Sequence, residues 1–143
     1  MAENGIYDEG RWTDIIVRKD GPVAWLTLNR PTKANCVRPQ MQDEIAEALE
    51  GLDKDRDVQV VILDAVGDKV FSAGFDMAEQ HRPESSRDWD DLTRASAGVC
   101  MQIWDMDKPV ICAVQGHAIA FGCLLALIAD ITIATENSFF SEP

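Results

Sequence analysis

Phe71-Ser72-Ala73-Gly74-Phe75-Asp76 and Gly116-His117-Ala118-Ile119-Ala120-Phe121-Gly122-Cys123 are the two stretches whose reading decides the fold. Each follows a strand-forming apolar run, and each is expected to lead into a helix. Glycine turns the backbone tightly and admits close neighbours because it has no Cβ. Two such turns side by side are able to aim two backbone N–H groups at one anionic oxygen, the arrangement of an oxyanion hole.

Working outward, Val58 to Leu63 and Pro109 to Val114 are near-continuous apolar runs. This pattern suits strands buried on both faces of a parallel sheet. Residues 14–29 read as a hairpin: Ile15-Ile16-Val17-Arg18-Lys19, then the turn signal Asp20-Gly21, then Val23-Ala24-Trp25-Leu26-Thr27-Leu28. Asn29-Arg30-Pro31 ends it, since proline cannot continue a ladder. Residues 39–53 read as a helix with Pro39 in its first turn. Met41, Ile45, Ala48, Leu49 and Leu52 recur at helical spacing, with Gln42, Asp43, Glu44, Glu47 and Glu50 on the other faces. Residues 80–91 read as a polar surface loop. A second helix over 88–105 would bury Leu92, Ala95, Val99 and Ile103. A short helix through Leu124-Leu125-Ala126-Leu127 and a strand at 130–134 complete an alternating order, which predicts an α/β fold.

The chain has 143 residues, 46% of them hydrophobic, enough for one domain with a real core. Thirteen basic against 25 acidic residues leave a net charge of −12. That argues against nucleic acid, whose phosphates need a basic face, and against an anionic membrane surface. Solubility explains the acidity equally well. The four cysteines, Cys36, Cys100, Cys112 and Cys123, form no Cys-x-x-Cys pair. They read as buried reduced thiols of a cytoplasmic protein. With only His81 and His117 beside them, no metal site is expected. Met1-Ala2-Glu3-Asn4 is polar and lacks the features of a signal peptide. Ala118 to Ala129 is too short to span a bilayer. The chain ends on Phe139-Phe140-Ser141-Glu142-Pro143, without a polar tail, and a fragment or an early end is expected.

Four ordered segments resemble the crotonase, or enoyl-CoA hydratase/isomerase, superfamily. Asn29-Arg30-Pro31 with Asn35 is similar to its Asn-Arg-Pro…Asn opening. Phe71-Ser72-Ala73-Gly74-Phe75-Asp76-Met77 is similar to its Phe-Ser/Cys-Ala-Gly-x-Asp-Leu loop. Lys108-Pro109-Val110-Ile111-Cys112-Ala113-Val114-Gln115-Gly116 is similar to its Lys-Pro-Val-Ile-Ala-Ala-Val-x-Gly strand. Gly122-Cys123, an apolar helix and Asp130-Ile131 are similar to its Gly-Gly-Gly-x-Glu-Leu…Cys-Asp segment. The resemblance runs from about Asp14 to Pro143.

It implies a crotonase-like spiral of ββα units over residues 1–143, an incomplete domain whose C-terminal helical trimerisation part is absent. The substrate implied is a coenzyme A thioester, with no permanently bound cofactor. Its carbonyl would lie between the backbone N–H groups of Phe75 and Phe121, where an enolate oxygen develops. A helix starting after Gly122 would add its positive end. CoA contacts would come from Lys33 and Ala34, from the backbone along Ala73, Gly74, Phe75, Asp76 and Met77, and from Gly122. The partner is acyl-CoA, and the full-length form is expected to be a homotrimer or hexamer.

Each of these residues has a plainer reading. The Phe75 and Phe121 side chains pack as core aromatics, and only their N–H groups carry the claim. Lys33 is equally a solvated lysine. Asp76 is structural or a contact to the nucleotide side. Asp130 orders a turn before its strand. His117 is a partly buried histidine, and His81 is solvated.

The chain departs from the family's hydratase pattern at Leu124, where one of two glutamates is expected. The second would follow Pro143. Hydration needs a base for water and an acid for the α-carbon, whereas moving a double bond needs one carboxylate. The resemblance therefore points to an isomerase more than a hydratase. Glu142 is a weaker candidate acid, lining the pocket or facing solvent. Alternatives stand beside this reading: a non-catalytic acyl-CoA-binding homologue, a scaffold subunit, or another crotonase chemistry such as hydration, hydrolysis or dehalogenation. Residues 80–91 would border the substrate mouth, and the acyl group is left open.

Overall fold

Asp20 and Val23 face each other across Gly21 and Pro22, closing the expected hairpin. The computed structural model describes residues 5–80 and 82–143. The polar start Met1-Ala2-Glu3-Asn4 and the loop residue His81 lie outside the described residues, with the readings given for them. Strand β1 (Ile15–Asp20) pairs antiparallel with β2 (Val23–Leu28), and Gly21 supplies the positive φ of +56° that the turn requires.

Helix α1 (Pro39–Lys54) begins on proline, where a missing N–H does no harm. It buries Met41, Ile45, Ala48, Leu49 and Leu52 against the sheet. Each such aliphatic side chain contributes about 1.5–3 kcal/mol on full burial. Gln42 and Glu44, expected on the outer faces, are buried as well. The Glu44 carboxylate accepts from the N–H groups of Thr13 and Asp14 at 3.0 and 2.8 Å, serving the chain where β1 begins.

Strand β3 (Val60–Ala65) starts and ends two residues later than the expected 58–63 run. Val58 N–H is held by Asp55 O at the end of α1, and the pairing with β2 continues to Leu28 opposite Ala65. Then follow β4 (Val70–Ser72), α2 (Ser86–Asp105), β5 (Val110–Val114), β6 (His117–Ile119), α3 (Phe121–Leu127), β7 (Ile131–Ala134) and β8 (Phe139–Ser141).

Two sheets result. The larger runs β1-β2-β3-β5-β7, parallel beyond the hairpin; the smaller runs β4-β6-β8, parallel throughout. The chain therefore repeats one phrase: a strand for the large sheet, a strand for the small sheet, then a helix. β3-β4-α2 is one such unit, β5-β6-α3 the next, and β7-β8 opens a third. This is an α/β fold of ββα units, and the small sheet is what the alternation read from the order of apolar runs and helical stripes left out.

Other expectations shift. Strands β3 and β5 alternate buried with half-buried residues instead of being buried on both faces, because the helices cover one side of the large sheet more fully. On β7, Ile131 and Ile133 remain 53% and 61% exposed. Helix α2 begins at Ser86, inside the expected loop, because Ser85 caps it: Ser85 Oγ accepts from Asp88 N–H, and the Asp88 carboxylate accepts from Ser85 N–H. Of its four expected core residues only Val99 and Ile103 are buried; Leu92 is half-buried and Ala95 exposed, since they line a cleft left open between α2 and α1. All four cysteines are free thiols, but Cys36 and Cys100 are only half-buried.

Candidate active site at two adjoining glycine turns

Strand β4 ends at Ser72, and the chain beyond it runs alongside residues 34–37. Ala73 N–H donates to Ala34 O, Ser72 Oγ–H to Asn35 O, Val37 N–H to Gly74 O, and Asp76 N–H to Val37 O, all between 2.8 and 3.0 Å. Phe75 therefore sits opposite Val37 in an isolated parallel bridge. Both bridge bonds belong to Val37 and flank Phe75. By the alternation of a parallel ladder, the N–H of Phe75 points to the other side, where no acceptor meets it among the described residues. Gly74 takes φ +92°, a conformation that L side chains rarely adopt. This first turn does not lead directly into a helix: Asp76 O accepts from Glu79 and Gln80 N–H, and α2 begins only at Ser86.

The second turn follows β6. Ala120 takes φ +50° without being glycine, and its N–H donates to Ser141 O at 2.8 Å. Phe121 is the first residue of α3, so its N–H has no partner within the helix. At seven residues α3 carries a small dipole.

Pairing of β4 with β6, Val70 with His117 and Ser72 with Ala118, brings the two turns together. A Cβ on Gly74 would lie 3.0 Å from both Ala120 Cβ and Ile119 O, and 3.4 Å from Phe121 N. A Cβ on Gly122 would lie 2.4 Å from Ser72 O. These glycines are required by close approach of backbone to backbone. The Phe75 and Phe121 rings stack with centroids 4.4 Å apart and planes 14° apart. Two N–H groups without partners among the described residues thus sit on neighbouring turns braced by their own side chains.

The remaining candidates lie as follows. Ala34, at φ +50°, is hydrogen-bonded to the first turn, and Lys33 beside it is exposed. Met77 is 77% exposed just past the turn. The Asp76 carboxylate accepts from Arg30 Nη1 and Nη2 at 3.1 Å each and from Ala78 N–H. Burial alone would raise its pKa, but Ala78 N–H and Arg30 outweigh that and hold it below the usual carboxylate range. Asp76 is engaged structurally.

Leu124 is 46% exposed and faces a cleft of about 400 Å³ lined also by Phe121, Leu127 and Ile128, and across it by Thr93, Ser96, Ala97 and Cys100 of α2. Thr93 and Ser96 donate their hydroxyls back to Trp89 O and Leu92 O, so the cleft presents mainly apolar surface. Glu142 is exposed, and the Cys123 thiol's pKa is raised by burial and then by that nearby carboxylate.

His117, three residues past the end of β5, opens β6 and is exposed, edge-on to Phe139 at 5.7 Å, rather than partly buried. Asp130 accepts from Val110 N–H at 2.7 Å, tying β7 to β5 rather than ordering its own turn. The residues that brace the site most, Arg30 and Asn35, were legible only as part of a motif. Asn35 is 1% exposed and its side chain bonds Arg30 N–H, Val66 O and Val70 O. Among the described residues no cluster of three or more His, Cys, Asp or Glu is placed to hold a metal, and no helix is long and apolar enough to cross a membrane.

Comparison with known proteins bears on the family and the fold. The family model described as enoyl-CoA hydratase/isomerase matches residues 18–143. A carnitinyl-CoA dehydratase of Salmonella enteritidis PT4 is 38% identical over 128 residues, which are 87% of this chain and 47% of that protein. The crystal structure of an enoyl-CoA hydratase/isomerase from Xanthobacter autotrophicus Py2 superposes with a TM-score of 0.88 at 39% identity, over 92% of this chain and 49% of that one. An enoyl-CoA hydratase/carnithine racemase from Magnetospirillum magneticum superposes with a TM-score of 0.86 at 29% identity, over 92% and 49%. The chain spans about half the length of the relatives it matches.

Proposed function

The chain belongs to the enoyl-CoA hydratase/isomerase family, and from that premise we propose that the whole protein moves the double bond of an enoyl-CoA thioester. The thioester oxygen accepts from Phe75 and Phe121 N–H. Removing a proton from the α-carbon pushes charge onto that oxygen as a dienolate. Donors already fixed by β4–β6 pairing stabilise it without rearranging, each contributing about 3–4 kcal/mol. The proton returns at the far end of the conjugated system. One carboxylate suffices for both transfers, and by family position it is the residue following Pro143. Lys33, exposed beside the first turn, serves the phosphates of CoA as a point charge. The backbone from Ala73 to Met77 and Gly122 line the approach.

The observation that carries this reading is the pair of unpaired N–H groups on turns in mutual contact, with Leu124 rather than a carboxylate on the neighbouring helix face. An apolar residue there favours proton shuttling, since hydration needs a second acid or base. A second reading is favoured by the relatives named carnitinyl-CoA dehydratase: loss of water from a hydroxyacyl-CoA, with the acid supplied elsewhere.

Absorbance of the conjugated product decides between them. The whole protein given a 3-enoyl-CoA is expected to form the 2-enoyl-CoA, and to leave a 3-hydroxyacyl-CoA unchanged. The reverse pattern replaces the isomerase with the dehydratase. Binding without turnover of either leaves the non-catalytic acyl-CoA-binding homologue. A homotrimer or hexamer is proposed for the whole protein, and light scattering tests it.

A further inference from the structure

Arg30 is 8% exposed and lies against the first turn, where it pairs with Asp76. Its Nη1 donates to Cys36 O and, with Nη2, to Asp76 Oδ2; Nη2 also reaches Glu79 Oε1 at 3.2 Å. Cys36 and Asp76 lie on the two chain segments whose ladder aims Phe75. Cys36 precedes Val37, and Asp76 follows Phe75. One planar cation therefore fastens both segments, one through a carbonyl and the other through a carboxylate. Its own main chain is held in turn: Arg30 N–H donates to Asn35 Oδ1, and Arg30 O accepts from Lys33 and Asn35 N–H.

Arg38 supplies an internal comparison. It pairs with Asp14 at 2.6 and 2.9 Å and with Glu79 at 3.1 Å, so it shares the same carboxylate cluster. Among its hydrogen bonds none reaches the Cys36 carbonyl or Asp76. The cluster as a whole ties β1, α1 and the turn together; of the two arginines, it is Arg30 that reaches both the Cys36 carbonyl and the Asp76 carboxylate beside Phe75.

We propose that Arg30 is a positioning residue, whose guanidinium fixes the direction of the Phe75 N–H toward the substrate oxygen. This rests on the oxyanion reading above. A rigid planar fork is needed: a lysine ammonium is a point charge and cannot hold a carbonyl and a carboxylate in one plane. Misdirecting a donor acts on the transition state more than on ground-state binding, so kcat falls while KM holds.

The test uses the whole protein with Arg30→Lys, Arg30→Met, Asp76→Asn and, for comparison, Arg38→Lys. Two quantities are read: kcat and KM, and the vibrational frequency of the thioester carbonyl of bound butyryl-CoA, which drops when hydrogen-bond donors polarise it. Arg30→Lys and Asp76→Asn are expected to lose roughly 10- to 100-fold in kcat with KM nearly unchanged, and to lose part of the carbonyl shift. Arg38→Lys is expected to lower the melting temperature and keep both kcat and the shift. Arg30→Met is expected to be worse than Arg30→Lys if it folds; Lys and Asn variants carry the test if it does not. Folded Arg30→Lys with wild-type kcat and carbonyl shift overturns the proposal, as does an equal loss in Arg38→Lys. Absence of any carbonyl shift in the wild type overturns the oxyanion reading itself, a result distinct from either.

Discussion

Gly74→Ala concentrates the site's geometry in one methyl group. The new Cβ meets Ala120 Cβ and Ile119 O at 3.0 Å and Phe121 N at 3.4 Å. Contacts at 3.0 Å force the two turns apart by a few tenths of an ångström, and overpacking of this kind costs about 1–3 kcal/mol. Holding alanine at φ +92° adds about 1–3 kcal/mol of backbone strain. Gly67→Ala separates the two terms. Gly67 has φ +102° but nothing within 4 Å of a Cβ, so it bears the strain without the collision. The expected result is that both variants lose stability in urea titrations, Gly74→Ala by more. Only Gly74→Ala loses turnover, by about 10²–10³ in kcat, the effect of losing one oxyanion donor. Substrate KM moves little, because the donors act mainly on the transition state. A folded Gly74→Ala whose kcat for enoyl-CoA stays within about twofold of wild type refutes the placement of the oxyanion between these turns.

Other outcomes follow from the same structure. Gly116→Ala drives a Cβ to 2.0 Å from Lys69 O at φ +67°, a backbone collision, and is expected to abolish folding or cost more than about 4 kcal/mol by chemical denaturation. Leu124→Glu is expected to add hydration of 2-enoyl-CoA without altering CoA-thioester affinity, checked by absorbance and calorimetry; hydration already present in the wild type contradicts the isomerase reading. Burial, with Asp64 nearby, pushes the Cys112 thiol from its ordinary 9.0 up to about 12. A raised folded pKa means that its contribution to stability is complete below pH 9 and is lost as pH rises toward 12. Cys112→Ala is therefore expected to flatten the alkaline fall in urea stability, and thiol reagents at pH 8 are expected to leave Cys112 unmodified until the protein unfolds.

The large sheet was legible because its strands are four to six residues of apolar or alternating sequence and α1 shows a clean helical stripe. The small sheet was not, because β4, β6 and β8 have three residues each, too few to display a period. Phe71-Ser72 and His117-Ala118-Ile119 therefore read as turn rather than strand. That omission hid the pairing which brings Gly74 against Ala120. The glycines themselves were conspicuous, and so was Leu124. Arg30 and Asn35 were hidden for a different reason: their partners are carbonyls and carboxylates far along the chain, at Val66, Val70 and Asp76, and no local pattern announces such a contact. Glu44 misled in the same way, an acid on an apparently outer face that serves the start of β1.

The division of labour between the two sheets has a consequence for how such a protein changes over time. Each ββα unit delivers one strand to the small sheet, from whose ends the two turns run on, and then departs through a helix before returning. Between β4 and β6 the chain also lays down β5 in the large sheet, and the buried residues of α2, Val99 and Ile103, lie in its second half. The first half of α2 buries no residue, and Thr93 from it joins Ser96, Ala97 and Cys100 of the same helix in one wall of the cleft, while β4–β6 pairing holds the turns of Phe75 and Phe121 together. Substitutions on that face of α2 are therefore expected to reshape the cleft wall without disturbing the strand pairing that joins the two turns.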